Sequence, residues 1–327
     1  MVVTADSHSS QVSPNRRQRT IVVTGASGLV GSALIRTLSK DSSSSASAAG
    51  PNSGSWSVRG ISRKPRSGEF LWDAASNQID AAAFEGADAV VHLAGENIAG
   101  GRWNAALKQR IQDSRVLGTR AVCAAIGKAT RRPSVLVAAS AIGFYGDRHD
   151  EELDENSAAG SGFLADVCQA WEEEARAVTQ FGVRVAHLRI GVVLSRHGGA
   201  LQRMLLPFRL GLGGRVGSGR QYWSWVELSD LVGMIVHAID TPSLTGAVNA
   251  VAPQPVTNAE FTRDLGSVLH RPTLFPMPAF AARLVLGEMA DALLLSSTRV
   301  LPRKLAESGF RHRFPDLPSA LRQALQT

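Results

Sequence analysis

The feature that most constrains the fold of this chain is a glycine-rich turn directly after an apolar run. Residues 21–23 read IVV, and residues 24–31 read TGASGLVG. A buried strand, a glycine turn and a helix in this order are typical of a dinucleotide-binding α/β unit. Gly25 would allow a sharp turn, Gly28 would let backbone N–H groups approach a pyrophosphate, and Gly31 would let the helix pack closely. An ordinary tight turn is the alternative.

Two basic residues indicate which dinucleotide would bind. Residues 58–61 are predicted to form the second strand, and Arg63 and Lys64 follow it. In this class of fold the end of the second strand lies beside the adenosine ribose, where a carboxylate would bind a 2′-hydroxyl and a cation a 2′-phosphate. Arg63 and Lys64 therefore favour NADP(H). Two solvated cations in a loop are the alternative.

Size and composition limit the class of protein. With 327 residues, 44% of them hydrophobic, the chain can form one large core and a smaller second domain. We expect a soluble protein without a membrane span, because no stretch approaches roughly 18 consecutive apolar residues. The net charge is +7, but the basic residues are spread along the chain, so nucleic-acid binding is not expected. Cys123 and Cys168 fit small buried side chains in a reducing compartment, and no metal site is predicted.

The pattern of apolar runs predicts a doubly wound parallel sheet (Rossmann) with a small C-terminal α/β domain. Residues 1–19 are predicted to be a disordered tail or the remnant of a transit peptide. The expected location of the protein is the cytoplasm, or the chloroplast stroma if the N-terminus derives from a transit peptide. Residues 20–195 would form the NADP-binding domain, with a surface insertion at 41–55. Residues 196–327 would form a substrate or lid domain, from which 223–250 return to the sheet.

Individual elements follow from the same pattern. Strands are predicted at 87–94, 134–139 and 183–190, and helices at 104–128, 163–180 and 229–239, the last capped by Ser229. Residues 223–226 are predicted to rejoin the sheet. His92 lies inside an apolar run, which favours a core histidine over a catalytic one. Ser140 stands at a strand end, where side chains line the ligand site in open α/β sheets.

Several motifs together resemble one family. TGASGLVG at 24–31, HLAG at 92–95, SAIGFYG at 140–146 and LRIGVVL at 188–194 are similar to the NAD(P)-dependent epimerase/dehydratase family of extended short-chain dehydrogenases/reductases. The segments 249–258, 287–290 and 297–302 resemble its atypical branch of epimerase family proteins, which has bacterial and chloroplast-division-linked members. The resemblance implies a Rossmann fold, NAD(P) binding and oxidoreductase or epimerase chemistry on a small carbonyl or sugar-like substrate.

The chain departs from the family at the proton donor. Catalytic members carry Tyr-x-x-x-Lys on one helix, but Phe163 and Val167 stand at these positions here. The tyrosine exchanges a proton with the substrate and the lysine lowers its pKa, and neither replacement can do so. Ser140 matches the family serine, and Tyr145, helped by His149, is a candidate replacement acid. A structural role for Tyr145 is the alternative. Glu96, Lys108 and Arg115 are other polar groups that could project toward the nicotinamide, and solvated charges on a helix surface are the alternative.

Two functions remain open. The first is an NADP(H)-dependent enzyme with a relocated acid. The second is a catalytically degenerate NADP(H)-binding regulator that acts through a protein partner, for example in cell or plastid division; a homo-oligomer is also possible in either case. A polar pocket beside the nicotinamide, lined by Arg215, Arg220, Trp223 and Trp225, would favour the enzyme, although packing between domains could explain both tryptophans. The predicted cofactor-binding residues are Thr24, Gly25, Ser27, Gly28, Leu29, Gly31, Arg63, Lys64, Leu93, Ala94, Gly95, Glu96 and Arg189.

Overall fold

The computed structural model of the protein describes residues 18–41, 56–65, 68–73 and 76–326, so the predicted tail up to residue 17 and the insertion from residue 42 to 55 lie outside it. Its strands are β1 (Arg19–Thr24), β2 (Trp56–Ser62), β3 (Phe70–Asp73), β4 (Gln78–Ile79), β5 (Ala89–His92), β6 (Val135–Ala141), β7 (Glu152–Leu153), β8 (Arg184–Ile190), β9 (Val192–Leu194), β10 (Tyr222–Trp223), β11 (Trp225–Glu227), β12 (Gly246–Ala250), β13 (Val256–Thr257) and β14 (Arg299–Val300).

The helices alternate with the strands over the first part of the chain. They are α1 (Leu29–Asp41), α2 (Ala105–Lys128), α3 (Phe163–Arg176), α4 (Gly199–Arg209), α5 (Leu228–Asp240), α6 (Asn258–Leu269), α7 (Ala279–Leu286), α8 (Glu288–Ala290), α9 (Arg303–Glu307) and α10 (Leu317–Gln326). Among these described helices, none is both long and apolar enough to cross a membrane.

Eight strands form the central sheet in the order β12-β8-β6-β5-β1-β2-β3-β4. All neighbours in it are parallel except β3 and β4. This confirms the doubly wound fold predicted from the sequence. The order reverses between β1 and β5, and ligands of such sheets bind at the carboxyl ends of the strands at this point.

Both faces of the sheet are covered, which explains the uninterrupted apolar run of β1. Ile21 and Val23 pack in one cluster with α1 and α5, whereas Val22 packs in the other with α2 and the end of α3. All three side chains are fully buried. Parallel strands between two helical layers require this pattern.

The prediction that residues 223–226 rejoin the sheet is wrong. β8 pairs with β6 on one side and with β12 on the other, so it offers no free edge. Within the longer predicted segment 223–250, it is β12 that joins the large sheet. β11 instead pairs with β9, and β10 with β13. Trp225 is fully buried in the C-terminal core with Phe261 and Leu321.

The predicted N-cap of α5 is also wrong. Glu227, not Ser229, caps the helix, because its carboxylate accepts hydrogen bonds from the backbone N–H groups of Ser229 and Asp230. The hydroxyl of Ser229 itself donates to Glu227. Burial raises the pKa of Glu227, and its hydrogen bonds with Ser229 oppose that rise.

Candidate cofactor and active site

The glycine turn joins β1 to α1 with very little room. Gly25 has φ +70°, and a Cβ there would lie 2.8 Å from the carbonyl carbon of Leu93. A Cβ on Gly31 would lie 2.3 Å from the oxygen of Gly25. A Cβ on Gly28 would have more room. Among the described atoms, the oxygen of Gly25 is the only one given within 4 Å of it, at 3.2 Å. The turn is therefore closed towards β5 and open beside Gly28, which fits a cradle for a pyrophosphate.

Hydrogen bonds hold this turn to the end of β5. The hydroxyl of Thr24 lies 2.6 Å from Nδ1 of His92, and Nε2 of His92 lies 2.9 Å from the hydroxyl of Thr119. His92 is fully buried, so its interpretation as a core histidine is confirmed. Leu93 donates its backbone N–H to the carbonyl of Thr24. The predicted cofactor residues 93–96 thus leave the sheet next to the glycine turn.

One part of the turn's surroundings was not predicted. A Cβ on Gly198, just before α4, would lie 3.4 Å from the side chain of Leu29, and Gly199 has φ +73°. The loop before α4 therefore passes close to the start of α1. The glycine pair at 198–199 is the sequence signal for this approach. Ser27 is exposed beside the turn.

Arg63 and Lys64 stand at the carboxyl end of β2, next to β1. Both side chains are exposed. The backbone N–H of Lys64 donates to the hydroxyl of Ser62, which fixes the loop as it leaves the strand. In folds of this type the end of the second strand lies beside the adenosine ribose of the bound dinucleotide.

The predicted catalytic pair lies in a buried network. The hydroxyl of Ser140 donates to Oε1 of Glu172, at 2.7 Å. Arg189 donates from Nε and Nη2 to the two oxygens of the same carboxylate, at 2.8 and 2.9 Å. Its Nη1 donates to the hydroxyl of Tyr145, at 3.0 Å, and this hydroxyl lies 2.7 Å from Oδ1 of Asn249.

Burial makes Tyr145 a weak acid. The ring is fully buried, which raises the pKa of the phenol, and the neighbouring guanidinium of Arg189 only partly opposes this. His149, its predicted helper, has φ +53° and a ring that is 88% exposed beside Asp147. The structure therefore brings Ser140, Tyr145 and Arg189 together, but leaves His149 at the surface.

Sequence reasoning missed Glu172 and Asn249. Glu172 is buried on the same side of α3 as Cys168 and Ala175, so a charge on the apolar face of an amphipathic helix was the available signal. Asn249 is a fully buried polar residue inside the apolar strand β12. Polar residues in such places need partners, and each of these two has one in the network.

A cation lies beside the first residue of α3. Phe163 begins α3, and its ring packs edge-on against Trp103, with centroids 5.2 Å apart. Nζ of Lys108 lies 4.8 Å from the centroid of Phe163. The same ammonium donates to both carboxylate oxygens of Glu288, at 2.6 and 2.8 Å. Lys108 was a polar candidate from the sequence, whereas its partner Glu288 was missed.

The other polar candidates support the loop after β5. Arg115 donates to the carbonyls of Glu96 and Ile111, and its guanidinium lies 5.1 Å from the ring centroid of Trp171. Burial lowers the pKa of Arg115. The backbone N–H of Glu96 donates to the hydroxyl of Ser114. These bonds fix the position of the loop against α2.

The expected pocket lining by two tryptophans is wrong. Trp225 is fully buried, and Trp223 is 7% exposed and packs against Phe261. Both rings belong to the C-terminal core because the short β9–β11 and β10–β13 pairs hold them there. Arg215 and Arg220 are exposed. In the part of the chain that the structure describes, no group of three His, Cys, Asp or Glu side chains is arranged to hold a metal.

The two cysteines are buried and free, as predicted. Burial raises the pKa of Cys123 to about 12 and that of Cys168 to about 11. Both thiols are therefore protonated at neutral pH and serve as small core side chains.

A parallel sheet with a glycine cradle at its switch point defines a dinucleotide-binding α/β protein of the Rossmann class. The particular family follows from sequence comparison: residues 21–250 match the NAD dependent epimerase/dehydratase family, and the chain belongs to it. Residues 277–324 match a domain of unknown function, DUF1731.

Relatives and solved structures agree with this assignment. The chain is 42% identical to an epimerase family protein of Mycobacterium bovis, covering 92% of this chain and 96% of that one. It is 37% identical to the chloroplastic epimerase family protein SDR39U1 homolog of Arabidopsis thaliana, covering 96% and 89%. The crystal structure of human epimerase family protein SDR39U1 (isoform 2) with NADPH superimposes with a TM-score of 0.84 at 35% identity, covering 94% and 99%.

Proposed function

We propose that the protein is an NADP(H)-dependent oxidoreductase or epimerase of a small carbonyl or sugar-like substrate, in which Lys108 takes the place of the family's tyrosine. The observation that carries this proposal is the ammonium of Lys108 against the ring of Phe163. Phe163 stands at the tyrosine position of the family pattern, so Lys108 brings a proton to the region that a tyrosine hydroxyl would otherwise reach.

The cofactor part of the proposal rests on the cradle and on two cations. The tight turn at Gly25 and Gly31, open at Gly28, would hold the pyrophosphate. Arg63 and Lys64 would bind the 2′-phosphate of NADP(H), since charge-assisted hydrogen bonds favour a dianion. The human relative's structure contains NADPH, which supports the same choice.

Lys108 has the chemistry of a general acid. A bound nicotinamide would supply or accept the hydride, and an ammonium can donate a proton to the substrate oxygen that gains negative charge. Glu288 and the rings of Phe163 and Trp103 surround the ammonium and fix its position. Ser140 and Tyr145 are assigned a structural role in this proposal, because their hydroxyls are used within the buried network.

The first experiment measures the choice of cofactor. NADPH and NADH are titrated into the protein and followed by fluorescence. We expect tight binding of NADPH, and about a 10-fold or greater loss of NADPH affinity in an Arg63→Gln/Lys64→Gln variant, with NADH binding unchanged. Arg110→Gln, an exposed cation on α2, is the matched control. Equal losses for both dinucleotides would contradict the role of the two cations.

The second experiment tests the proton donor. Oxidation of NADPH is followed at 340 nm with a panel of carbonyl compounds and nucleotide sugars. We expect Lys108→Met to lower kcat about 100-fold or more, without weakening NADPH binding, because a general acid contributes about that factor. Lys128→Met, at the exposed end of the same helix, is the control. An unchanged kcat in Lys108→Met would overturn the assignment.

One observation favours the alternative of a non-catalytic regulator. The family serine and the nearby Tyr145 are both buried and hydrogen-bonded within the scaffold. Tight NADPH binding with no turnover of any compound in the panel would support a regulator that acts through a protein partner.

A further inference from the structure

Exposed apolar side chains are concentrated in two segments of the C-terminal region. Among the residues that the structure describes, eleven large hydrophobic side chains are exposed, and nine of these lie at 206–212 or 274–285. We call these nine the apolar patch: Leu206, Leu210, Leu212, Leu274, Phe275, Met277, Phe280, Leu284 and Val285. Single exposed apolar residues are ordinary, whereas a concentration of them marks an interaction surface.

Backbone hydrogen bonds hold the two segments side by side. The N–H of Phe275 donates to the carbonyl of Gly213, and the N–H of Met277 donates to the carbonyl of Arg215. The first segment continues from the end of α4, and the second continues into α7, which begins at Ala279. The apolar patch therefore extends from the end of α4 across these paired loops to α7.

The segment around Met277 is suited to contacts through side chains. Phe275 and Met277 turn their backbone N–H groups towards residues 213–215. Pro276 and Pro278 alternate with them and carry no N–H, so they cannot donate to an added strand. A partner of the patch would therefore bind by burying side chains and not by extending a sheet.

The charged residues of these segments are arginines. From 196 to 226 and from 265 to 287 the sequence contains seven arginines and no lysine, aspartate or glutamate. Three of the seven donate to backbone carbonyls, which carry no net charge: Arg203 to Ala99, Arg215 to Ser218 and Arg271 to Arg209. Arg215 also borders Leu274 and Pro276 in a shallow depression, so positive charge adjoins the apolar patch.

The acidic groups that flank these segments are already paired. Asp291 lies 2.9 Å from the guanidinium of Arg283, and Glu288 is bound by Lys108. Asp264 on α6 contacts the neighbouring Arg263. These pairs leave the arginines at 203, 209, 215 and 271 as an excess of positive charge around the apolar patch.

The combination of apolar side chains and excess positive charge favours one class of partner. A second copy that met the patch across a two-fold axis would bring the same arginines together, and like charges in an interface are unfavourable. An anionic lipid bilayer matches both properties of the surface. Apolar side chains can enter the boundary between headgroups and acyl chains, while arginines bind the lipid phosphates.

We propose that the apolar patch docks the protein onto the surface of an anionic lipid bilayer. Phe280 and Leu284 of α7, which are 72% and 74% exposed, enter the headgroup boundary. Arg209 and Arg215 bind lipid phosphates beside them. The attachment is peripheral and reversible, because it depends on two individually weak contributions acting together.

The test measures binding of the full chain to vesicles of defined composition. The protein is sedimented with vesicles of phosphatidylcholine that contain roughly 30% phosphatidylserine, and separately with vesicles of phosphatidylcholine alone. The apolar contribution is removed in Phe280→Ser/Leu284→Ser. Leu71→Ser/Leu117→Ser is the matched control, because these two leucines are exposed outside the patch.

A second pair of variants tests the charges. The variant Arg209→Gln/Arg215→Gln removes two arginines beside the patch. Arg36→Gln/Arg110→Gln removes two exposed arginines on α1 and α2 and lowers the net charge of the protein by the same amount. The comparison separates a specific surface from the general attraction of a basic protein to anionic lipid.

We expect the unmodified protein to bind the vesicles with phosphatidylserine about 10-fold or more tightly than those without it. Phe280→Ser/Leu284→Ser and Arg209→Gln/Arg215→Gln should each weaken this binding about 10-fold or more, and each control should bind nearly as the unmodified protein does. A protein that binds neither kind of vesicle would overturn the proposal. So would equal losses in the patch variants and their controls.

Sedimentation equilibrium without vesicles tests a second copy of the chain as the competing occupant. We expect a monomer, or a dimer that Phe280→Ser/Leu284→Ser leaves intact. A dimer that this variant dissociates would assign the patch to contact between copies and overturn the proposal. Thermal unfolding of each variant shows that a loss of binding is not a loss of folding.

Discussion

Glu172 on α3 and Arg189 on β8 form a buried bidentate ion pair, with their side chains only 6% and 5% exposed. The pair joins the helix to the sheet at the point where Ser140 and Tyr145 also make their hydrogen bonds. Buried charges are stable only when they are paired and hydrogen-bonded. The pair therefore links Ser140 at the end of β6 to Tyr145 through one buried network.

Removing one member of this pair should destabilise the protein strongly. In Glu172→Gln the guanidinium of Arg189 stays buried without a counter-charge, and we expect a loss of about 3–5 kcal/mol in the free energy of unfolding. The double variant Glu172→Gln/Arg189→Met should lose less, because no charge remains buried. Urea unfolding at pH 7 measures both. A double variant less stable than Glu172→Gln alone would contradict this account.

Replacing Tyr145 by Phe should affect stability more than chemistry. The hydroxyl is within hydrogen-bond distance of Arg189, Asn249 and the carbonyl of Asp154, and its loss leaves these groups without one partner. We expect about 1–3 kcal/mol less stability and an unchanged kcat with any substrate of the protein. Urea unfolding and steady-state kinetics of Tyr145→Phe, with Tyr222→Phe as control, decide between this structural role and catalysis. A folded variant with a large loss of kcat would restore Tyr145 as the acid.

Alanine substitutions should separate folding from cofactor binding in the glycine turn. Gly31→Ala places a Cβ 2.3 Å from the oxygen of Gly25, so we expect both lower stability and weaker NADPH binding. Gly28→Ala has more room in the structure, and it should weaken NADPH binding with little loss of stability. Gly101→Ala is the control, because no described atom lies within 4 Å of the added Cβ. Thermal unfolding and NADPH titration measure the two effects; equal stability losses for all three variants would contradict the prediction.

Stability should fall in mildly acidic solution because of His92. Burial, and secondarily the charge of Arg115, lowers the pKa of His92 from 6.5 to about 4. Between these values the unfolded chain binds a proton that the folded chain does not, so the free energy of unfolding rises with pH. The contribution is fully present above about pH 6.5 and is lost as the pH falls towards 4, on the order of 3 kcal/mol in total.

Urea unfolding between pH 7 and pH 4.5 measures this loss. His92→Gln should show a shallower decline, since an amide between Thr24 and Thr119 does not titrate in this range. His197→Gln, an exposed histidine, should decline as the unmodified protein does. Parallel curves for His92→Gln and the unmodified protein would be inconsistent with a depressed pKa.

Much of the fold could be predicted because the hydrophobic pattern of each segment agrees with its position in the sheet or in the helical layers. The apolar run at 21–23 is typical of a strand covered on both faces, and the glycines after it are typical of a turn from a strand into a helix. Asn104 caps α2 where the sequence predicts that helix to begin. The error at residues 223–226 has a different origin. An apolar pattern predicts that a strand is buried, but it does not predict which strand of which sheet it pairs with.

The candidate site was less accessible from sequence because it depends on contacts between distant residues. Lys108 and Glu288 are hydrogen-bonded although 180 positions separate them in the sequence, and Tyr145 and Asn249 are hydrogen-bonded across a separation of 104. A spacing motif can show that Tyr-x-x-x-Lys is absent, but it cannot show which side chains surround Phe163. That information lies in the contacts of Lys108 on α2 with Phe163 on α3 and with Glu288 on α8.

The bond between Lys108 and Glu288 has a consequence for how such proteins can be recombined. Lys108 belongs to the segment that matches the epimerase family, whereas Glu288 belongs to the C-terminal segment of unknown function. A chimaera joining this chain's first 250 residues to a relative's C-terminal segment would take the ammonium from one parent and its counter-ion from the other. Such a chimaera would keep this ion pair only if the new C-terminal segment also places an acidic side chain beside Lys108.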